Sequence, residues 1–534
     1  MDAMGMLRAS GLAMIAGLAA SAFGQWTDDA GLNTSVVTSE NAQDVSKLAV
    51  HSDGSSWHGW FDFQPGGIQV RVERLDADGN QTFGSGGLLV SDHPQNTSTV
   101  DWDLRVDASG NCLLAFTDIR AGGDLDVYAY LIAPDGTMLW GGDGVAISSN
   151  AEFEADPRII QLTTGDYVVV WPRFDVLPGL YMQRLNAAGM PQLAAGGVAI
   201  YSAGSEEPAF VEIEPTADGQ FIASWVRNTS SFSSPRHVYA QKYDASGAKQ
   251  WGAAPVFVNN ATVVPIAHRP RLIVDSAGGA AIAWHDVRDG DFDCYVQRIS
   301  PAGAVLFTPN GVFASNEAAR QQLDPAIAFD PSGDIMMFYR NTDGAQNIQG
   351  LNVQRFDGTT GARMLGNGVV LLPYNNQWNG PPRAVSIDAG AAAISDVQPN
   401  IGSTHGILTL MRVDSDGAYI DEDGAISVST ADSSKGRLAL AGAPGGALIA
   451  SWADQRSGDY DVYAQRVNAD GTLGAGKTPC PPDLTGEGTL DFFDMQAFLQ
   501  AFSSHDPAAD FTGEGTFDFF DVQAFLQAFS AGCP

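Results

Sequence analysis

Cysteine is scarce, with four residues in 534, so a fold stapled by many disulfides is excluded. Basic residues are also few. Lys and Arg number 28 against 62 Asp and Glu, a formal charge of −34. Such a field repels nucleic acid and anionic membrane surfaces, so neither is an expected partner. The eight histidines are scattered singly and suggest no ligand cluster. No segment beyond the first residues reaches 18 uninterrupted apolar positions, the length a spanning helix needs. Neither a G-x-S-x-G elbow nor an H-E-x-x-H zinc motif occurs. Residues 471–478 match the phosphate-loop pattern, but Pro479, Pro481 and Pro482 follow, and no phosphate-holding helix starts there. What the chain does have is 44 % apolar residues and 60 glycines, enough for a large core with many turns.

Residues 1–24 read as a secretory signal. Arg8 gives a basic start, 12–20 is a short apolar run, and Ala22-Phe23-Gly24 supplies the small residues of a cleavage site before Gln25. The expectation is an extracellular, exported protein.

Between them, residues 25–471 carry one unit eight times. An anchor recurs at Trp60, Phe116, Trp171, Trp225, Trp284, Phe338, Ile394 and Trp452, at intervals of 54 to 59 residues. A glycine closes a turn after each anchor: Gly79, Gly136, Gly189, Gly247, Gly303, Gly361, Gly417 and Gly471. Each unit reads as four short strands: an apolar stretch ending in the anchor, an alternating stretch such as VYAQR (462–466), a Gly turn with a run such as GVAI, and an opener such as PRLIV (270–274). Units of this size point to a mainly β fold, an eight-bladed β-propeller, with seven blades as the alternative. The last unit lacks its fourth strand, and 33–43 looks like that strand, so the N-terminus is expected to complete the eighth blade.

Three units add an acidic motif: Asp118, Arg120, Asp124, Asp126; Asp286, Arg288, Asp291, Asp293; and Asp454, Arg456, Asp459, Asp461. The two readings are a calcium or substrate loop on one face, and a brace of ion pairs and capped backbone groups.

After a Gly/Pro linker (472–482), the tail repeats itself with an offset of 27 residues: DLTGEGTLDFFD (483–494) and DFTGEGTFDFFD (510–521), each followed by a helix. Calcium takes six to eight oxygen ligands from a short loop with a glycine at its sharp turn. The candidate ligands are Asp483, Thr485, Glu487, the Thr489 carbonyl, Asp491 and Asp494, then Asp510, Thr512, Glu514, the Thr516 carbonyl, Asp518 and Asp521. Met495, Phe498, Leu499 and Phe502 fall at helical spacing, as do Val522, Phe525, Leu526 and Phe529, and the two sets can face each other. This tail resembles a dockerin domain, a small all-α module of paired EF-hand-like calcium loops. The resemblance implies two calcium ions and a cohesin-like partner. It places Phe492, Phe493, Phe519 and Phe520 at the recognition surface, with partial burial of each pair as the alternative. Thr at the third loop position and Glu at the fifth depart from the familiar pattern. Cys480 and Cys533 bracket the module. A bridge there would close a loop of about 54 residues and restrict the unfolded chain by about 4 kcal/mol. Cys112 and Cys294, on non-equivalent strands, are expected to be free and buried.

The reading favoured by regular blades without a concentrated catalytic set is a secreted, monomeric, non-catalytic scaffold. It would present a propeller face to a glycan or protein and dock through its tail. The alternative is a polysaccharide-degrading hydrolase or lyase with its site at the propeller channel. Inward carboxylates with Arg or Tyr at the channel would favour the enzyme; apolar or Ser/Thr filling would favour the binder.

Overall fold

The computed structural model describes residues 25–532 apart from 96–97, 122, 175–177, 203, 205, 229–234, 262–263, 266–267, 289, 401, 404, 476–480 and 486–489. The signal segment, Cys480, Cys533, Glu487 and Thr489 therefore lie outside the described residues.

The repeats fold into eight antiparallel sheets, seven of four strands and one of five, each built by sequential hairpins. The first strand of each sheet touches the first strand of the next around a closed ring. These inner strands are Gln43–Val50, Asp103–Val106, Arg158–Gln161, Glu207–Pro215, Arg271–Val274, Gln321–Phe329, Arg383–Ile387 and Lys435–Gly442. They surround the axis of an eight-bladed propeller. Thr34–Val37 pairs with Asp461–Val467 as the outer strand of blade 8. The two chain ends thus share one sheet, and Val36, Val37 and Val462 pack on Trp60 and Leu75 of blade 1.

The alternating apolar pattern gives each sheet two faces, and both are covered by neighbouring blades. All eight anchors are completely buried. The eight turn glycines have φ between 74° and 89°, a region that side-chain-bearing residues adopt only at a cost. The Gln of the repeated YxQ pattern is buried as well. Gln183, for example, accepts from the backbone N–H of Arg184 and Leu193 and donates to the Ala194 carbonyl, tying strand to turn. Gln241, Gln297 and Gln354 repeat the bridge. Blade 1 has Glu73 in this place.

In blade 7 the inner position is split: Trp378–Asn379 and Arg383–Ile387 both pair with Gly390–Gln398. Pro381 and Pro382 separate them, and neither can donate to a ladder. Cys112 and Cys294 are buried and unpaired, as expected.

The tail forms two helices, α1 (Phe492–Ser504) and α2 (Phe519–Ala531), each started by a capping box, Asp491 with Asp494 and Asp518 with Asp521. Phe498 stacks on Phe525 with ring centroids 4.1 Å apart, and Met495, Phe502, Val522 and Phe529 pack around them. Leu499 and Leu526 depart from the expected stripe and are 61 % and 50 % exposed. Two short helices have room to bury only a narrow seam. Among the described residues no helix is long and apolar enough to cross a membrane.

Candidate functional site

All inner strands begin at the same face of the propeller, because each runs antiparallel to a second strand that ends there. In four blades the inner strand carries a register shift near this end: Asp44/Lys47, Ala209/Glu212, Leu323/Ala326 and Gly436/Ala439. Val45, Phe210, Asp324 and Arg437 lie in these bulges with φ of 53–55°, and Asp156 has φ 45° just before the inner strand of blade 3. A left-handed backbone at a residue with a side chain costs about 1–3 kcal/mol and persists only where its surroundings enforce it. Trp102 shows such enforcement: its Nε1 donates to the Val45 carbonyl at 2.9 Å. The bulges re-aim side chains at the mouth of the channel.

That mouth is a cavity of about 630 Å³ lined by Lys47, Arg105, Arg158, Arg269, Arg271, Arg383 and Arg437, with Asp101, Asp103 and Glu212. One quarter of the chain's 28 basic residues stands here, in a molecule of charge −34. Asp101 pairs with Lys47 at 2.7 Å, Arg158 at 2.8 Å and Arg269 at 3.5 Å. Burial pushes the Asp101 carboxyl up, but these three cations together hold it well below the usual range. Glu212 takes Arg158 at 2.9 Å, and Arg105 joins Asp103 and Glu214. Burial lifts Glu214 above the ordinary carboxyl value despite Arg105. Arg271 and Arg383 have no carboxylate partner among the described residues; Arg383 donates only to the Pro382 carbonyl.

An adjoining cavity of about 380 Å³ shares Arg269, Arg271 and Arg383 and adds His268, His285, Phe292 and Asp324. The two histidines, 17 positions apart and expected to stand alone, meet with ring centroids 3.9 Å apart. Burial keeps both neutral, lowering His285 to about 4 and His268 well below its ordinary value. Backbone N–H groups of Asp324 and His285 donate to His285 Nδ1 and His268 Nε2, at 3.1 and 3.3 Å. With those nitrogens accepting, a neutral ring carries its proton on the other one. The pair therefore offers N–H donors, and its basic nitrogens are occupied.

The arginines were legible only as a small repeated sign: Pro-Arg opens the inner segment at 157–158, 270–271 and 382–383, in blades 3, 5 and 7. Its meaning depends on the channel, which the linear chain does not display.

The three acidic motifs are braces. Arg120 Nε donates to Asp118 at 2.7 Å, Arg288 Nε to Asp286 at 3.0 Å, and Arg456 Nη2 to Asp454 at 2.6 Å. Each guanidinium also lies over a ring, of Tyr128, Tyr295 and Tyr463 respectively. Blades 3 and 4 reverse the polarity: Arg173 and Arg227 stand where the Asp stands elsewhere, pair with Glu154 and Glu206, and cover Tyr181 and Tyr239. An interaction kept while its charges exchange places serves the blade edge.

In the tail, Asp494 and Asp521 are buried. Each accepts from a Thr N–H and hydroxyl (Thr485, Thr512) and from the N–H of Asp491 or Asp518. Both oxygens of Asp510 accept backbone N–H groups of 513–515, Thr516 donates to Glu514, and Thr485 also reaches Asp483 at 3.4 Å. Among the described residues no group of three or more His, Cys, Asp or Glu is arranged to hold a metal ion. Phe492, Phe493, Phe519 and Phe520 are 61–72 % exposed, so neither member of either pair packs inward.

No family model and no curated protein matches the chain. Solved structures do. Polysaccharide lyase Uly1 superposes with a TM-score of 0.44 at 9 % identity, over 82 % of this chain and 91 % of that one. An ulvan lyase of family PL25, bound to -[GlcA(1-4)Rha3S]-, gives 0.42 at 11 %, over 74 % and 96 %. The α-L-arabinanase of Penicillium chrysogenum with arabinobiose gives 0.35 at 14 %, over 59 % and 94 %. The likeness is distant and carries nothing about this chain's chemistry. Its strand topology alone makes it an eight-bladed β-propeller.

Proposed function

We propose that the protein is a carbohydrate-active enzyme, exported from the cell, that takes a polysaccharide at the mouth of its propeller. One observation carries this reading: the mouth holds ionised carboxylates and guanidinium groups around an open cavity, where an inert channel would be filled with apolar or hydroxyl side chains. Strained bulges that hold the lining in place fit a preorganised site. The full chain, incubated with a panel of acidic and neutral polysaccharides, is expected to release sugar ends continuously; tight retention of a polymer without release would overturn the enzyme.

A non-catalytic glycan-binding scaffold is the second reading, favoured by the occupied basic nitrogens of His268 and His285. Under either reading the tail is a docking module of dockerin type. Its two exposed Phe pairs, related by the internal repeat, support a cohesin-like partner, and calcium at the two loops would give it rigidity. Chelator is expected to loosen the helix pair and leave the melting of the propeller unmoved; one transition shifting as a unit with calcium would count against this.

A further inference from the structure

We infer that the polymer recognised at the mouth is anionic, its carboxylate or sulfate ester gripped by Arg271 and Arg383 and hydrogen-bonded by His268 and His285. The inference rests on the mouth being a polysaccharide site.

The donors decide the chemistry. Arg158, Arg269, Arg105 and Lys47 are engaged by carboxylates of blades 2, 3 and 4. Arg271 and Arg383 are not, though both are half-buried and line both cavities. Burial lowers both guanidinium groups below their ordinary value; Arg271 adds to this at Arg383, and at Arg271 the attraction of Glu212 opposes burial while Arg269 adds to it. Asp324, Asp101 and Glu212 act on the two cations only from beyond ion-pair distance, so the guanidinium N–H groups remain open to a counter-charge from outside. A guanidinium has five N–H donors and no acceptor, and each histidine offers its remaining N–H. Sugar hydroxyls ask for a mixture of donors and acceptors. A carboxylate or sulfate only accepts, and its planar or three-fold oxygens suit the guanidinium fork. Elsewhere the −34 surface repels such polymers, so binding is confined to the mouth.

Four probes and the full chain test this: polygalacturonate, its carboxyl-reduced form, dextran sulfate and dextran. Retention and end release are measured for the wild type, Arg271→Gln, Arg383→Gln and the charge-keeping Arg383→Lys. The expected result is recognition of one or both acidic polymers and neither neutral one. Each Gln variant should weaken it tenfold or more, and Lys should weaken it less. Polygalacturonate alone identifies a carboxylate, dextran sulfate alone a sulfate. Melting should stay level or rise in the Gln variants, because no ion-paired carboxylate is orphaned; a fall would assign these arginines to the fold and overturn the inference. Equal handling of neutral polymers, untouched by the variants, overturns the anion while leaving the polysaccharide site intact. Failure with every polymer removes both.

Discussion

The propeller hides most of its large rings and gathers guanidinium groups at its mouth, whereas the C-terminal helix pair leaves four phenylalanines exposed; both regions bury carboxylates. In the blades, Trp60, Trp171, Trp225, Trp284 and Trp452 are fully buried. In the tail, Asp494 and Asp521 are fully buried and Phe519 is 72 % exposed. The difference reflects area. Eight sheets cover one another on both faces, so every ring has a neighbour. Two helices of 13 residues cover one seam, so the rings outside it stay exposed, the feature on which the proposed docking rests. Under the proposed function the two regions meet partners by different physics, charge in a concavity and apolar protrusion.

The largest expected effect breaks the covered half. Trp284→Ala should cost about 3–5 kcal/mol, from the cavity and the lost Nε1–Asp286 bond, read as an earlier propeller transition in denaturant. Loss below about 1 kcal/mol would mean the blades are loosely packed. Asp454→Ala should cost about 3 kcal/mol, since it strands Arg456, the buried Lys435 ammonium and Trp452 Nε1.

Glu73→Gln sharpens the comparison from the opposite side. Burial pushes this carboxyl up from 4.5 to about 7, against three backbone N–H donors that lower it. The folded state thus holds the proton more tightly than the unfolded one. Its contribution is complete below about 4.5 and is lost as pH rises through 7. Glutamine, the residue of five other blades at this position, should stabilise the protein by about 1–3 kcal/mol at pH 8 and much less at pH 4.5. Melting curves at the two pH values decide it, and an equal gain at both would refute the cause. The smallest effect belongs to the exposed rings: Phe519→Ser should change helix-pair stability by no more than about 0.5 kcal/mol, whereas Phe498→Ala should unfold the pair. A large loss in the first would show that Phe519 is part of the core.

Much of the fold was legible because it repeats. The anchor spacing, the eight turn glycines and the orphan N-terminal strand all describe local geometry, and the ring follows when such units close. The site was far less legible. His268 and His285 are remote enough in sequence to look unrelated, and their contact is made by a blade hairpin and the segment entering the blade. Val45 and Phe210 carry no sequence sign of positive φ. The exposed Phe pairs sat at a spacing that also allowed burial, and only the packing of Phe498 on Phe525 shows which rings the seam admits.

Charge balance, strand periodicity and turn chemistry are properties of short stretches, and the amino-acid order alone determined them. Which arginine meets a carboxylate is a property of the closed ring. Arg158, Arg271 and Arg383 follow the same proline in blades 3, 5 and 7, yet only Arg158 finds acids, Asp101 and Glu212 from the blades on either side. Among the described residues the blades flanking Arg271 and Arg383 set no carboxylate within ion-pair distance of them, and only the closed propeller decided that, because ion pairs form across blades whose residues lie more than fifty positions apart.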